Sequence, residues 1–408
     1  MKQLSLLLVI LFPAILCSQE KGVQFEHTLN WTDIRKNAKA ENKYIFMHCY
    51  TSYCGPSRYM SSVVYPTDEA GNYMNDKFIS IKLQLDTTGQ DNMQVKNWYN
   101  DAHEISETYN IHASPTYMIF DPDGNPVHRF TGQVQTTGEF IEKTKNAFDP
   151  GRQYFTLLKK YKEGKRDSAF LHKIATAVIA AYDSAWMNTV VNDYLNTQQD
   201  LYTSENLGLL DYVTHTSHDK GFRVMLNNPR KTDAILGMGF TDRRIHGIII
   251  SEEIIQKYSD KKPDWNAITA AITKKYPDQA DQVIAKAKVG YYMNQKDWDH
   301  FQFAMVNYMK KYEARTSSNE LNDYAWLVFE NCNDKNCLAE ALKWSEHSFR
   351  DNKLPAFMDT YANLLYKLGR NEEAITWETK AMDLSPDTDK MMFQATIDKM
   401  KKGAKTWN

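Results

Sequence analysis

Between residues 23 and 149 the chain alternates strand-like and helix-like stretches, and after "DPGR" (149–152) the strand pattern vanishes. That switch excludes a single uniform architecture, because a period of two and a period of 3.6 bury different faces. In the first part, "WTDIRKNAKAENK" (31–43) reads as an amphipathic helix and "YIFMHCY" (44–50) as a short apolar strand. Helical pattern resumes at "GPSRYMSSVVYPTDEAGNYMNDK", and "FISIKLQLD" (78–86) alternates with the strand period. A helix is expected over about 94–109. "SPTYMIFD" (114–121) and "PVHRFTG" (126–132) flank "DPDGN", a hairpin-turn signal, and "TTGEFIEKTKNAF" closes with a helix. A β-α-β half, a hairpin and a last helix predict a mixed sheet with helices on both faces.

Residues 153 to about 402 read as successive helices. In "MDTYANLLYKLGRNEEAITWETKAMDLSP" (358–386), Ala362, Gly369, Ala374, Ala381 and Pro386 stand where close helix crossings exclude larger side chains. The stretch resembles a tetratricopeptide repeat of roughly 34 residues. "LNDYAWLVFENCNDKNCLAEALKWSEHSF" resembles a second unit, and 289–312 a weaker third. Between 150 and 280 no repeat register can be assigned.

The 408 residues allow two or three domains, with 42% apolar residues for their cores. With 49 basic against 51 acidic side chains, nothing electrostatic recommends nucleic acid or an anionic membrane as partner. "MKQLSLLLVILFPAILCSQ" puts Lys2 before an apolar run from Leu4 to Leu16, the layout of a signal peptide over 1–18 and too short for a comfortable membrane span. The expected protein is therefore exported, to the periplasm. The alternative, a lipid anchor at Cys17, has bulky Leu16 in a place that usually holds a small residue. No other segment could span a bilayer. Export makes disulfides admissible, and Cys49, Cys54, Cys332 and Cys337 then permit three pairings.

"YIFMHCYTSYCGPSRYM" carries the chemistry. A strand runs into a turn with Tyr53 before Cys54, and Gly55-Pro56 opens a helix. "HASPTYMIFD" follows about sixty residues later, and "DPDGNPVHRFTG" after it. These segments together resemble the thioredoxin family over about 125 residues. The resemblance implies an α/β thioredoxin fold (23–149), which the helical pattern extends with an all-α, repeat-like domain (150–402). It also implies a cis Pro115 against the sulfur of Cys54, with Ser114 offering backbone groups to an extended peptide. The stretches "MSSVVYPTDEAGNYM" and "DTTGQDNMQVKNWYNDAHEIS" look like the additions of an exported bacterial subgroup.

A thiol at a helix start faces unpaired N–H groups, Pro56 costs nothing there, and Arg58 adds a cation; all three favour thiolate. Ser57 stands where dithiol relatives carry the resolving cysteine. A hydroxyl can hydrogen-bond the Cys54 sulfur but cannot release a mixed disulfide, so turnover through a Cys-x-x-Cys pair is excluded. Cys49 reads as a buried small apolar residue, with a Cys49–Cys54 disulfide as the alternative. His48 sits where many thioredoxins bury a carboxylate; it is either a proton acceptor or an ordinary strand histidine. Cys332 and Cys337, in "NCNDKNC", are expected to close a structural disulfide, with a second redox pair as the rival.

No cofactor is expected. "HTSH" (215–218) reads as surface rather than metal ligands. No nucleophile elbow and no phosphate loop occur. The expected function is a monothiol, oxidoreductase-like protein in envelope redox homeostasis, taking protein or peptide thiols and disulfides, with a possible protein partner on the repeats. The alternatives are a non-catalytic binding or scaffold protein and, third, a peroxidase-like Cys54.

Overall fold

The structure is a computed structural model that describes residues 22–259, 261–351 and 353–407. The expected signal segment and Cys17 lie outside the described residues. The described residues divide into two compact units, with the boundary between Gln199 and Asp200.

The first unit is built on a five-stranded mixed sheet. Its strands are β1 (Phe25–Glu26), β2 (Tyr44–Tyr50), β3 (Phe78–Gln84), β4 (Thr116–Phe120) and β5 (Pro126–Thr131), in the order β1-β3-β2-β4-β5. β3 runs parallel to β1 and β2, while β4 is antiparallel to both β2 and β5. β2 and β4 are buried on both faces, which their near-continuous apolar runs require. The two-residue β1 carries too short a pattern to be recognised in the sequence.

Two apolar layers sandwich the sheet. Ile45, Met47, Cys49, Leu83, Met118 and Phe120 face helices α1 (Trp31–Glu41) and, further along, α5 (Tyr99–Thr108), which contribute Ile34, Ala38, Ala102 and Ile105. On the other face Phe46, Tyr117, Ile119 and Phe130 meet Met60, Met74 and Phe140. These come from the segment after α2 (Gly55–Tyr59), from α3 (Asp68–Lys77) and from α6 (Thr137–Lys145). The expected helix over 94–109 is two, α4 (Met93–Asn97) and α5, joined at Trp98. Helix starts follow sequence signals: the side chains of Asn30, Thr67 and Thr136 accept from the backbone N–H of Asp33, Ala70 and Glu139. In the β4–β5 hairpin, Gly124 takes φ +85° and its N–H donates to Asp121 O at 2.9 Å, as the "DPDGN" signal implies.

Helices α7 (Tyr154–Lys162), α8 (Ser168–Ala180) and α9 (Ser184–Leu195) belong to this unit rather than to the helical one beyond it. They are tied to β5, the outer strand of the hairpin. Tyr154 N–H donates to His128 Nδ1, and Thr131 Oγ1 donates to Ala180 O. The guanidinium of buried Arg129 donates to the carbonyls of Tyr109, Asn110 and Tyr182. The last strand ends at Thr131, and the compact units divide between Gln199 and Asp200.

Among the described residues the second unit is all helix: α10 (Ser204–Tyr212), α11 (Lys220–Asn227), α12 (Pro229–Leu236), α13 (Phe240–Ile250), α14 (Trp265–Lys275), α15 (Ala280–Asn294), α16 (Trp298–Tyr312), α17 (Ser318–Asn331), α18 (Lys335–Ser348), α19 (Pro355–Lys367), α20 (Asn371–Leu384) and α21 (Lys390–Lys401). Pairs α15–α16, α17–α18 and α19–α20 pack as successive helical hairpins. Ala362, Ala374 and Ala381 are wholly buried at the last crossing, and Gly369 turns the chain at φ +85°. These hairpins are compatible with the expected repeats. Helices α10 to α13 are shorter, 8 to 11 residues.

Candidate active site

Strand β2 ends at Tyr50, and four residues later Cys54 is the N-cap of α2, in an extended conformation (φ −72°, ψ 107°). Pro56 lies in the first helical turn, where its missing N–H leaves nothing unsatisfied. The helix covers only Gly55–Tyr59 before a π-helical turn over Met60–Val64. Direct hydrogen bonds, more than a long macrodipole, therefore set the sulfur's electrostatics.

Cys54 is 8% exposed, yet it lines two open hollows. Burial pushes the thiol up. The hydroxyls of Ser114 and Ser57, the Ser57 N–H and the Arg58 guanidinium outweigh that, and the net displacement is downward. Thiolate is thus favoured relative to an ordinary cysteine. Ser114 is held in place by Thr51, whose N–H donates to its Oγ at 3.0 Å. The Ser114–Pro115 peptide bond is cis, as expected. Tyr53 is 75% exposed beside the sulfur, and Gly55 has open space where a side chain would be.

Ser57 is buried, and its Oγ lies 3.3 Å from Nε2 of His48. The hydrogen bond of His48 is to Ser57, not to the sulfur. Burial, and then the nearby Lys82 charge, depress the imidazole to about 3, so it is neutral near pH 7 and too weak a base to collect the Cys54 proton. Of the two readings of His48, this environment fits the strand histidine, a neutral ring beside Ser57.

The same depression makes a stability prediction. An imidazole titrating at about 3 when folded and about 6.5 when unfolded stabilises the protein above pH 6.5, and that stability drains away as pH falls towards 3. Unfolding of the His48→Leu variant between pH 6.5 and 4 should take up about one proton fewer than the native chain. Denaturant melts across that window measure it; an unchanged slope would show that His48 does not titrate on unfolding.

Cys49 is fully buried in the layer against α1, paired in register with Leu83 and Thr116, and burial pushes its thiol up to about 12. It is a free thiol, and Cys54 is also free. Cys332 and Cys337, in the other unit, are likewise free thiols, so the disulfide expected there is not formed in this structure. Cys332 ends α17 and Cys337 lies in the first turn of α18; they sit within hydrogen-bond reach, which lowers Cys332 and raises Cys337. Cys332 Sγ also donates to Gln302 Oε1 at 2.9 Å. Among the described residues no cluster of His, Cys, Asp or Glu could hold a metal, and no helix is long and apolar enough to cross a membrane. Lys82, Ser61 and Ser62 line one hollow with Cys54; they lie on β3 and past α2, where no motif spacing announces them.

Residues 32–147 match the model of a thioredoxin-like domain. No curated protein matches the chain. Among solved structures, a candidate disulphide-isomerase from Bacteroides thetaiotaomicron is 26% identical over 32% of this chain and 98% of its own, with a TM-score of 0.26. The DsbH oxidoreductase is 15% identical over 35% of this chain and 93% of its own, with a TM-score of 0.28. The five-stranded mixed sheet with helices on both faces, the Cys-Gly-Pro turn after β2 and the family match agree, and residues 32–147 of this chain are a thioredoxin-like domain.

Proposed function

We propose that this chain is an exported monothiol protein whose Cys54 attacks disulfides in envelope proteins and holds the client as a mixed disulfide. The Cys54 thiolate forms a bond to one client sulfur, and the other client sulfur leaves as thiolate and takes up a proton. With Ser57 in the fourth motif position, release needs a thiol from outside. The domain plan behind this reading is a signal segment over 1–18, a catalytic domain over 23–149 and a helical partner domain over 150–402. Its observation is the thiol of Cys54, held below the usual cysteine range by Ser114, Ser57 and Arg58 against burial, at the meeting of two solvent-open hollows. The hollow of about 450 Å³ lined by Tyr53, Leu85, Ile111, His112 and Ser114 suits the extended client segment.

Alkylation of the native chain across pH tests this. Cys54 should react with a half-point below the free-thiol value of about 8.5. Disulfide-linked clients should be captured from an envelope extract and be lost in Cys54→Ala. A thiol inert up to pH 9, with no adduct, would leave only the binding or scaffold function.

A further inference from the structure

The second hollow at Cys54, about 350 Å³, differs in character from the client groove. It is walled by His48, Ser57, Arg58, Ser61, Ser62 and Lys82. Lys82 Nζ donates to Ser61 Oγ at 3.0 Å and stands over the rings of Phe25 (4.6 Å) and Tyr65 (5.6 Å). Burial alone displaces its titration, downward, with no acidic group contributing. Among the described residues neither Lys82 nor Arg58 has an ion-pair partner. The carboxylate beside this wall, Asp86, is already engaged by the N–H (2.8 Å) and hydroxyl (2.5 Å) of Ser52. His48, 1% exposed, backs the same hollow. Two cations without an ion-pair partner and the Ser61 hydroxyl, lining one hollow with the sulfur, suit a small anion that carries its own reactive group.

We propose that this hollow binds a small thiol bearing a carboxylate and presents it to Cys54 as the resolving thiol that Ser57 cannot be. The inference rests on the monothiol reading above. The bound thiol, as thiolate, attacks Sγ of Cys54 in the mixed disulfide. A new disulfide forms between Sγ and the small thiol, and the client sulfur leaves as thiolate and is protonated. A second small thiolate then attacks the outer sulfur, forming the small-molecule disulfide and restoring the Cys54 thiolate. Two small thiols are oxidised to one disulfide, and their two electrons reduce the client disulfide. Arg58 and Lys82 hold the carboxylate, and the client groove, lined by other residues apart from Cys54 and Thr51, stays free.

The test loads the full chain at Cys54 with a neutral cysteine peptide, verified by mass, and follows peptide release by 3-mercaptopropionate, 2-mercaptoethanol and cysteamine. Each rate is divided by the same thiol's rate on the free peptide disulfide, which removes differences in thiol basicity. The carboxylate thiol should be favoured at least about tenfold over the cationic one, and its rate should saturate with concentration. Lys82→Gln should cut that preference severalfold, and Arg58→Gln serves as the second variant should Lys82→Gln not fold. Equal normalised rates in the native chain would overturn the anion site and leave the monothiol reading intact. Failure of Cys54 to form any peptide disulfide would overturn both.

Discussion

Ser57→Cys should convert a long-lived client adduct into a short-lived one. Ser57 is the third residue of α2, buried, and both its N–H and its hydroxyl lie in hydrogen-bond reach of the Cys54 sulfur. A cysteine there puts a second sulfur on the same vector, so release of the client becomes intramolecular. Relative to a millimolar external thiol, orientation of that kind is worth on the order of a thousandfold or more. The new thiol would be slow to ionise, because it replaces a hydroxyl 3.3 Å from an imidazole held at about 3, which cannot take its proton at neutral pH. Adduct lifetime by quenched mass spectrometry reads the effect. An adduct as persistent as that of the native chain would show that position 57 does not address the sulfur.

Arg129→Met should be the most damaging single change in the first unit, at about 3–5 kcal/mol, the range for stripping a buried charge from its partners. Arg129 is 1% exposed on β5, with its guanidinium donating to Tyr109 O at 2.8 Å, Asn110 O at 3.3 Å and Tyr182 O at 3.3 Å. Methionine fills comparable space but leaves those carbonyls without a donor. Asp183, buried and accepting from Tyr154 Oη at 2.7 Å, loses the cation that faces it. The loss falls where α5, β5 and the α8–α9 turn meet, so α7 to α9 should loosen from the sheet before the strands separate. Urea melts compared with hydrogen exchange at α8 measure both parts. A loss under about 1 kcal/mol would mean that water replaces the guanidinium without cost.

The local signals carried much of this fold. β2 runs over Tyr44–Tyr50 as its apolar run predicts, and the hairpin turns at Gly124 because few residues besides glycine accept that backbone. The thiol site was equally readable at Cys54, Gly55, Pro56 and Ser57, which are contiguous. His48 was not: only burial under Tyr117 and next to Lys82 makes it a neutral ring, and neighbours on other strands leave no trace in its own spacing. Arg129 in a hairpin strand reads as a solvent-facing cation until the carbonyls that bind it, up to 53 residues away, are brought around it.

What the order of residues settles here is whatever depends on near neighbours: the switch from strand to helix period, the helix caps, and a one-sulfur motif that cannot close its own disulfide. Assembly in three dimensions settles what depends on distant ones. It brings Ser114 to the sulfur from 60 residues downstream, gathers Arg58 and Lys82 around an uncompensated hollow, and keeps Cys49 sealed within the sheet. The reason is that hydrogen bonding, burial and charge act through space over a few ångströms, whereas sequence patterning reports only the face a residue shares with its immediate neighbours.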